Sequence, residues 1–281
     1  MTHSLLDDFK KFMKIINEHD GGNSIDLTSY NFLGAATLLP LFAYSNQNNI
    51  NKLISQSNNP LTQYLEKVLQ HRPHNNTTIP FEKLPLKMTA NEIADFAENI
   101  KNKLFNSIER QTFEFLLYEL MSNIYDHSKF RNAFTLSQQR PKVGVTDICL
   151  IDDGVSIPGS FENVGFDFED DAEAILESIN GKSTREENKN FDGIYEENIS
   201  GRGLNSTTQL ATLGFGEDIL IASREGACYI NSSGANLFNI DEKFINGTYV
   251  SIRINKKTLG QDFQKCMEYK IGYVTIYFSF F

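Results

Sequence analysis

Between Glu119 and His127 the chain reads Glu-Leu-Met-Ser-Asn-Ile-Tyr-Asp-His, which sets a carboxylate, an amide, a second carboxylate and an imidazole into an otherwise apolar run. On a helix Glu119, Asn123, Asp126 and His127 stand at i, i+4, i+7 and i+8, so the four polar groups form one stripe. A carboxylate so placed can take a proton from water or a hydroxyl, and an amide oxygen is a neutral hard ligand for a cation. Two glycine-containing motifs follow: Asp152-Asp153-Gly154 after an apolar run, and Gly201-Arg202-Gly203 at the start of another segment. Bare backbone N–H groups at a helix start suit phosphate oxygens. Taken together, the three motifs read as parts of one nucleotide site.

These groups need a helix, a strand end and a loop to hold them, and the chain supplies candidates in that order. Helical spacing runs from Ala90 to Ile100 and again from Ser107 to Ser128, where Leu116, Leu117, Leu120, Met121 and Ile124 make an apolar stripe with the polar residues on its border. Val143 to Ile151 is rich in β-branched residues and predicts a strand ending at Asp152, after which Ile157-Pro158-Gly159 breaks the pattern. Residues 160–200 are acidic and polar apart from a helical stretch at Ala172 to Ile179, and they are expected to belong to a lid over residues 155–200. A helix is expected from Gly201 through Leu210. Strands are expected at Ile219–Ala222, Cys228–Ile230 and Thr248–Ile254, the first two joined by a hairpin turn at Arg224-Glu225-Gly226. Helix, strand, lid, helix and then a meander of strands predicts a two-layer α/β sandwich with a mixed sheet packed on helices.

The first part of the chain carries other signals. Leu5, Leu6, Phe9, Phe12, Met13 and Ile16 predict an amphipathic helix over residues 4–17. A brief strand at Ile25–Leu27, a buried helix across Phe32–Tyr44 with Pro40 in it, an Asn- and Ser-crowded loop over 45–59 and a helix from Leu61 to Leu69 complete it. The connection from Arg72 to Pro85 sets the expected boundary: a smaller N-terminal α/β segment over 1–85, a main domain over 86–256 and a C-terminal extension over 257–281.

With 40% hydrophobic and 22% charged residues in 281, the composition is that of a soluble globular protein. A net charge of -10 disfavours broad attraction to nucleic acid or anionic lipid, so phosphate binding would have to concentrate a few cations such as Lys182, Arg185 and Arg202. Cys149, Cys228 and Cys266 lie far apart without CxxC spacing, against a zinc site or a disulfide framework. The N-terminus lacks a basic region followed by an apolar core, and the apolar stretch Phe32–Tyr44 is too short to span a bilayer. The expectation is a cytoplasmic protein with no membrane contact.

Asn180-Gly181-Lys182-Ser183-Thr184 mimics the end of a phosphate-cradling P-loop, but Leu176 stands where the first glycine is required, and the preceding segment reads as helix rather than strand. A different resemblance covers more of the chain. Glu119-x-x-x-Asn123, Asp152-x-Gly154 and Gly201-x-Gly203, in that order, resemble the N box and two glycine boxes of the GHKL ATPase superfamily of gyrases, heat-shock chaperones, histidine kinases and MutL-type repair proteins. Gly247-Thr248 before the last strand is similar to what its members often have, and the resemblance spans roughly residues 90–255.

That resemblance implies a Bergerat-type ATP-binding fold, with ATP and Mg²⁺ as cofactors. It implies that Asn123 holds Mg²⁺ through its amide oxygen, that Glu119 is the general base, and that Asp152 accepts a hydrogen bond from the adenine amino group while Gly154 lets the backbone turn beneath the base. Gly201, Gly203 and Leu204 would meet the phosphates at a helix start, Arg202 either the phosphates or an acidic partner that closes the lid, and Lys182 a phosphate from the lid. Ile157 and Thr248 are further expected to contact the nucleotide. Asp126 and His127 stand where relatives approach the phosphates, although His127 serves equally as a core or capping residue. Asp153 and Asn205 depart from the usual Asn and Gly at their positions.

No histidine near the N-terminus has the acidic and basic followers of a phosphoacceptor, which disfavours a self-contained histidine kinase. Asp26 to Leu39 resembles a STAS-like segment used in partner switching, or else is a helical cap or oligomerisation arm. The expected function is Mg²⁺-dependent ATP hydrolysis coupled to lid closure and to association with a protein partner or a second copy. An anti-sigma-type serine/threonine kinase and a non-hydrolysing nucleotide sensor are the alternatives. Uncharged and rich in β-formers, Ile271 to Phe281 reads as an interface strand or as part of a longer chain.

Overall fold

The computed structural model describes residues 4–69, 77–104, 110–182, 204, 208, 218–240, 246–255 and 276–278. The first part contains helices α1 (Leu5–Glu18), α2 (Ala35–Gln47) and α3 (Pro60–Leu69), with short strands β1 (Ser24–Asp26) and β2 (Lys52–Ile54). Strand β3 (Thr78–Lys83) precedes helices α4 (Ala90–Leu104) and α5 (Arg110–Asn123). Strands β4 (Ala133–Arg140) and β5 (Val145–Asp152) come next, followed by helices α6 (Ile157–Asn163) and α7 (Asp171–Ile179). Strands β6 (Ile219–Ser223), β7 (Gly226–Asn231), β8 (Gly234–Asn239), β9 (Thr248–Asn255) and β10 (Ile276–Phe278) complete the order.

Local chemistry sets several of these boundaries. Ser4 caps α1 by accepting the Asp7 N–H while the Asp7 carboxylate accepts that of Ser4, and this reciprocal pair fixes where the helix starts. Pro158, expected to break structure, falls in the first turn of α6, where a missing N–H costs no helical bond. Helix α2 is buried on all sides from Ala35 to Ser45, as a helix with no polar face must be.

The central sheet runs β10-β8-β7-β6-β9-β5-β4-β3. From β8 to β3 every neighbouring pair is antiparallel, and β10 alone is parallel, Ile276 facing Ala235. This described part of the expected C-terminal strand therefore pairs within the chain. A separate parallel pair, β1 with β2, is joined through α2 as a βαβ unit.

Strand alternation decides the two faces. One carries Ile148, Leu150, Ile221, Cys228, Val250 and Ile252 and is covered by α4, α5 and α7. The other carries Leu136, Cys149, Ile151, Leu220, Ala227 and Tyr249 and is covered by α1 and α2. The expected two layers are thus three. A sheet apolar on both faces needs cover on both, and the N-terminal helices supply the second. Residues 78–83, expected within a connection, form edge strand β3 against β4.

Polar bonds fasten this second layer. Arg253 Nη2 reaches Asp8 of α1 at 2.9 Å while its Nε reaches Asp147 of β5 at 2.7 Å, all three side chains being buried. The Tyr249 hydroxyl donates to the Ala36 carbonyl at 2.9 Å, and the Ala35 N–H donates to Gln138 Oε1 at 3.2 Å. Cys149 and Cys228 are buried thiols whose burial pushes each up to about 12, so both stay protonated and unreactive. No helix among the described residues is long and apolar enough to cross a membrane.

Candidate functional site

Three adjacent strands stop being apolar at the same end of the sheet. Asp152 closes β5, Thr248 opens β9 and Ser223 closes β6, with Ser223 directly opposite Thr248 and Asp152 one rung beyond the Ile151–Tyr249 pair. Each stands two residues past a buried apolar position, respectively Leu150, Val250 and Ile221. The period of two therefore puts all three side chains on the face that α5 covers.

Asp152 is the titratable member of this trio. It is 3% exposed, and its Oδ1 accepts the Gly154 N–H at 2.8 Å. Burial drives its carboxyl up to about 7; the Gly154 N–H pulls the other way and the neighbouring Asp153 charge adds to the rise. Asp153 has a different task, since its Oδ1 accepts the N–H groups of Arg131 and Asn132 at 2.8 and 2.7 Å and orders the entry to β4. Its Oδ2 also accepts from Asn132 Nδ2 at 2.8 Å, a bond that the NH₂ of an Asn here could not accept.

Two glycines press against this carboxylate's segment. A Cβ on Gly154 would stand 2.0 Å from the Ser128 carbonyl oxygen, and one on Gly247 would stand 2.0 Å from the Asp152 carbonyl oxygen and 2.9 Å from its Oδ1. Both clashes are with backbone, which cannot rotate away. Gly247→Ala should therefore cost about 3 kcal/mol in urea unfolding, at the upper end of overpacking effects. An unchanged midpoint would mean that the Asp152 backbone yields freely.

The polar helix reaches the same place by an irregular route. α5 ends at Asn123, and Ile124–Ser128 form a π-helical turn closed by Lys129 in the left-handed region at φ 49°. The wider turn breaks the expected stripe: Asp126 is exposed, His127 half-buried and Ser128 buried. The Val155 N–H donates to the Ser128 carbonyl, seating the turn on the loop that follows Gly154. At its start the Asn123 Nδ2 is buried with no hydrogen-bond partner, and Glu119 lies half-buried one helical turn earlier.

The remaining candidates divide. Ile157 joins the cluster, its N–H donating to Ser223 Oγ at 3.0 Å, and Thr248 joins it through an Oγ1 contact with Ser223 at 3.0 Å. Leu204 is helical and packs on the core of that face. Lys182 follows the end of α7 and pairs with Glu177 of that helix. Gly201, Arg202 and Gly203 lie outside the described residues. α7, expected within the lid, is a packed helix whose Ile175 and Ile179 belong to the core. Ser128, Ser223 and the tight approach of Gly247 are contributions that sequence reasoning misses.

Among the described residues no group of three or more His, Cys, Asp and Glu side chains could hold a metal. A cavity of about 530 Å³, lined by Phe42, Leu65, Phe81 and Phe134 among others, opens on the opposite face of the sheet from the Asp152 side chain. No protein-family model matches the chain, and no curated protein matches it.

Proposed function

We propose that the chain is an ATP-binding protein of the GHKL type that hydrolyses ATP slowly in the presence of Mg²⁺ and couples this to association with a partner or a second copy. The observation that carries the reading is the buried Asp152 carboxylate, flanked by two glycines that admit no side chain, on a segment joined through the Ser128 carbonyl to the turn that follows Asn123. A buried carboxylate with no ion pair among the described residues is costly in a purely structural role, and strongly shifted groups of this kind cluster at functional sites.

In this reading Asp152 accepts from the adenine amino group. Gly154 and Gly247 keep the backbone low beneath the base, and Ile157 and Thr248 line it. Asn123 would hold Mg²⁺ through its oxygen, with Asp126 and His127 toward the phosphates. Gly201, Arg202, Gly203 and Lys182 complete the phosphate end. When bound, the metal neutralises charge on the phosphates. Glu119 orients the attacking water and takes its proton as the water oxygen bonds to the γ-phosphorus and ADP leaves.

Equilibrium ATP binding with Mg²⁺ and phosphate release test this directly. Glu119→Ala should leave ATP affinity within about threefold and lower turnover about 100-fold, the usual contribution of a general base. Absence of ATP binding overturns the proposal. Phosphate appearing on a protein hydroxyl instead of in solution would move it to the anti-sigma-type kinase, and binding without turnover to the nucleotide sensor.

A further inference from the structure

We propose that Ser223 is a positioning residue for the base end of this pocket; the inference rests on the nucleotide reading above. Ser223 is fully buried at the end of β6, where a turn-forming serine would ordinarily face solvent. Its hydroxyl accepts the Ile157 N–H at 3.0 Å and has one hydrogen to give, with the Gly247 carbonyl oxygen and Thr248 Oγ1 each 3.0 Å away.

Those partners belong to the two segments that bracket Asp152. Ile157 ends the loop begun by Gly154, and Gly247 is the residue whose Cα presses on the Asp152 carbonyl. One oxygen thus ties together both walls of the proposed base pocket without itself needing to touch the base. The anchor is held from behind. Arg224, at φ 52°, pairs with Glu162 of α6 at 2.6 Å, and the Glu225 N–H donates to Asp171 Oδ2 at 3.1 Å. A Cβ on Gly226 would meet the Ala172 nitrogen at 2.4 Å, so the hairpin tip sits hard against α7.

Removing the hydroxyl leaves the Ile157 N–H and the Gly247 carbonyl without this partner in a dry place and frees both walls to relax. With the full chain held well below its unfolding temperature, Ser223→Ala should raise the Kd for ATP and for ADP about tenfold alike. The ATP to ADP ratio should hold, because the phosphate end is untouched, and kcat at saturating ATP should stay within about twofold. Ser223→Thr, which keeps the hydroxyl, should restore the affinities. A purely structural serine would lower the unfolding temperature and leave Kd alone. Should the alanine variant fail to fold, Ser223→Cys retains the volume with a much weaker hydrogen-bonding group and should weaken binding in the same pattern. A folded variant with ATP affinity within twofold of the parent overturns the positioning role and leaves the nucleotide reading standing. Failure of the unmodified protein to bind ATP overturns both.

Discussion

Asp152→Asn should make the protein harder to unfold at pH 8 and, at the same time, a poorer binder of ATP. The folded carboxyl titrates near 7 against an ordinary value of 3.8, with burial the main cause. Between those values the folded state holds a proton that the unfolded state has released, so stability falls as pH rises through this window. Above pH 7 the whole cost is present, about 4 kcal/mol at 1.36 kcal/mol per pH unit of displacement. A neutral amide avoids that cost, so urea unfolding should show the variant more stable by up to about 4 kcal/mol at pH 8, with the gap closing toward pH 4. Binding moves the other way. If the amide oxygen keeps the Gly154 N–H, its NH₂ meets the incoming adenine amino group donor to donor, which should weaken ATP about 10- to 100-fold. In the unmodified protein ATP affinity should rise from pH 6 to 8 as the carboxylate ionises. Equal unfolding midpoints for the two proteins at pH 8 would remove the electrostatic account, and equal ATP affinities would remove the adenine assignment.

Arg253→Ala is expected to cost about 3 kcal/mol, because it takes from two buried carboxylates the cation they share and leaves each with a single partner. Arg253 is the cation that Asp8 and Asp147 share, although Asp147 also holds Arg140 at 2.9 Å and Asp8 holds Lys11 at 2.9 Å. Burial works against its positive charge, but the bonds to Asp147 and Asp8 outweigh it and raise its pKa further. Urea unfolding measures the loss. Hydrogen exchange along α1 locates it, since Asp8 is where that helix meets the sheet. A change below about 1 kcal/mol would place this network with weak surface pairs.

α1 and α5 are legible because each has one apolar stripe facing one core, and β5 and β9 because their runs of β-branched residues feed the cores on both faces of the sheet. β4 is not, because Thr135, Ser137 and Gln138 are buried in it and a sequence counts such residues as solvated. The Thr135 hydroxyl donates to the Cys149 carbonyl at 3.1 Å, and Gln138 Oε1 accepts the Ala35 N–H of α2. The stripe from Glu119 to His127 was read at 3.6 residues per turn, and nothing in Ile124-Tyr125-Asp126-His127-Ser128 announces the π turn that carries Asp126 into solvent. The third layer was hidden for a different reason. It depends on pairings such as Arg253 with Asp8, 245 residues apart, which no local pattern contains. At the site, the residue types and their order are readable, whereas Ser223 falls between the expected strand at Ile219–Ala222 and the expected turn at Arg224-Glu225-Gly226, and its worth lies in what surrounds it.

The placement of α1 and α2 on the reverse face bears on how the molecule can be divided or exchanged. A cut at residue 86 would follow the apparent seam in the sequence, yet it would bare Leu136, Ile151, Leu220 and Tyr249, remove edge strand β3, and leave Arg253 without Asp8. The part bearing Asp152 is therefore not a cassette to be lifted out whole. A foreign N-terminal segment grafted onto it would have to bring an acid for Arg253 and an apolar helix for the back of the sheet.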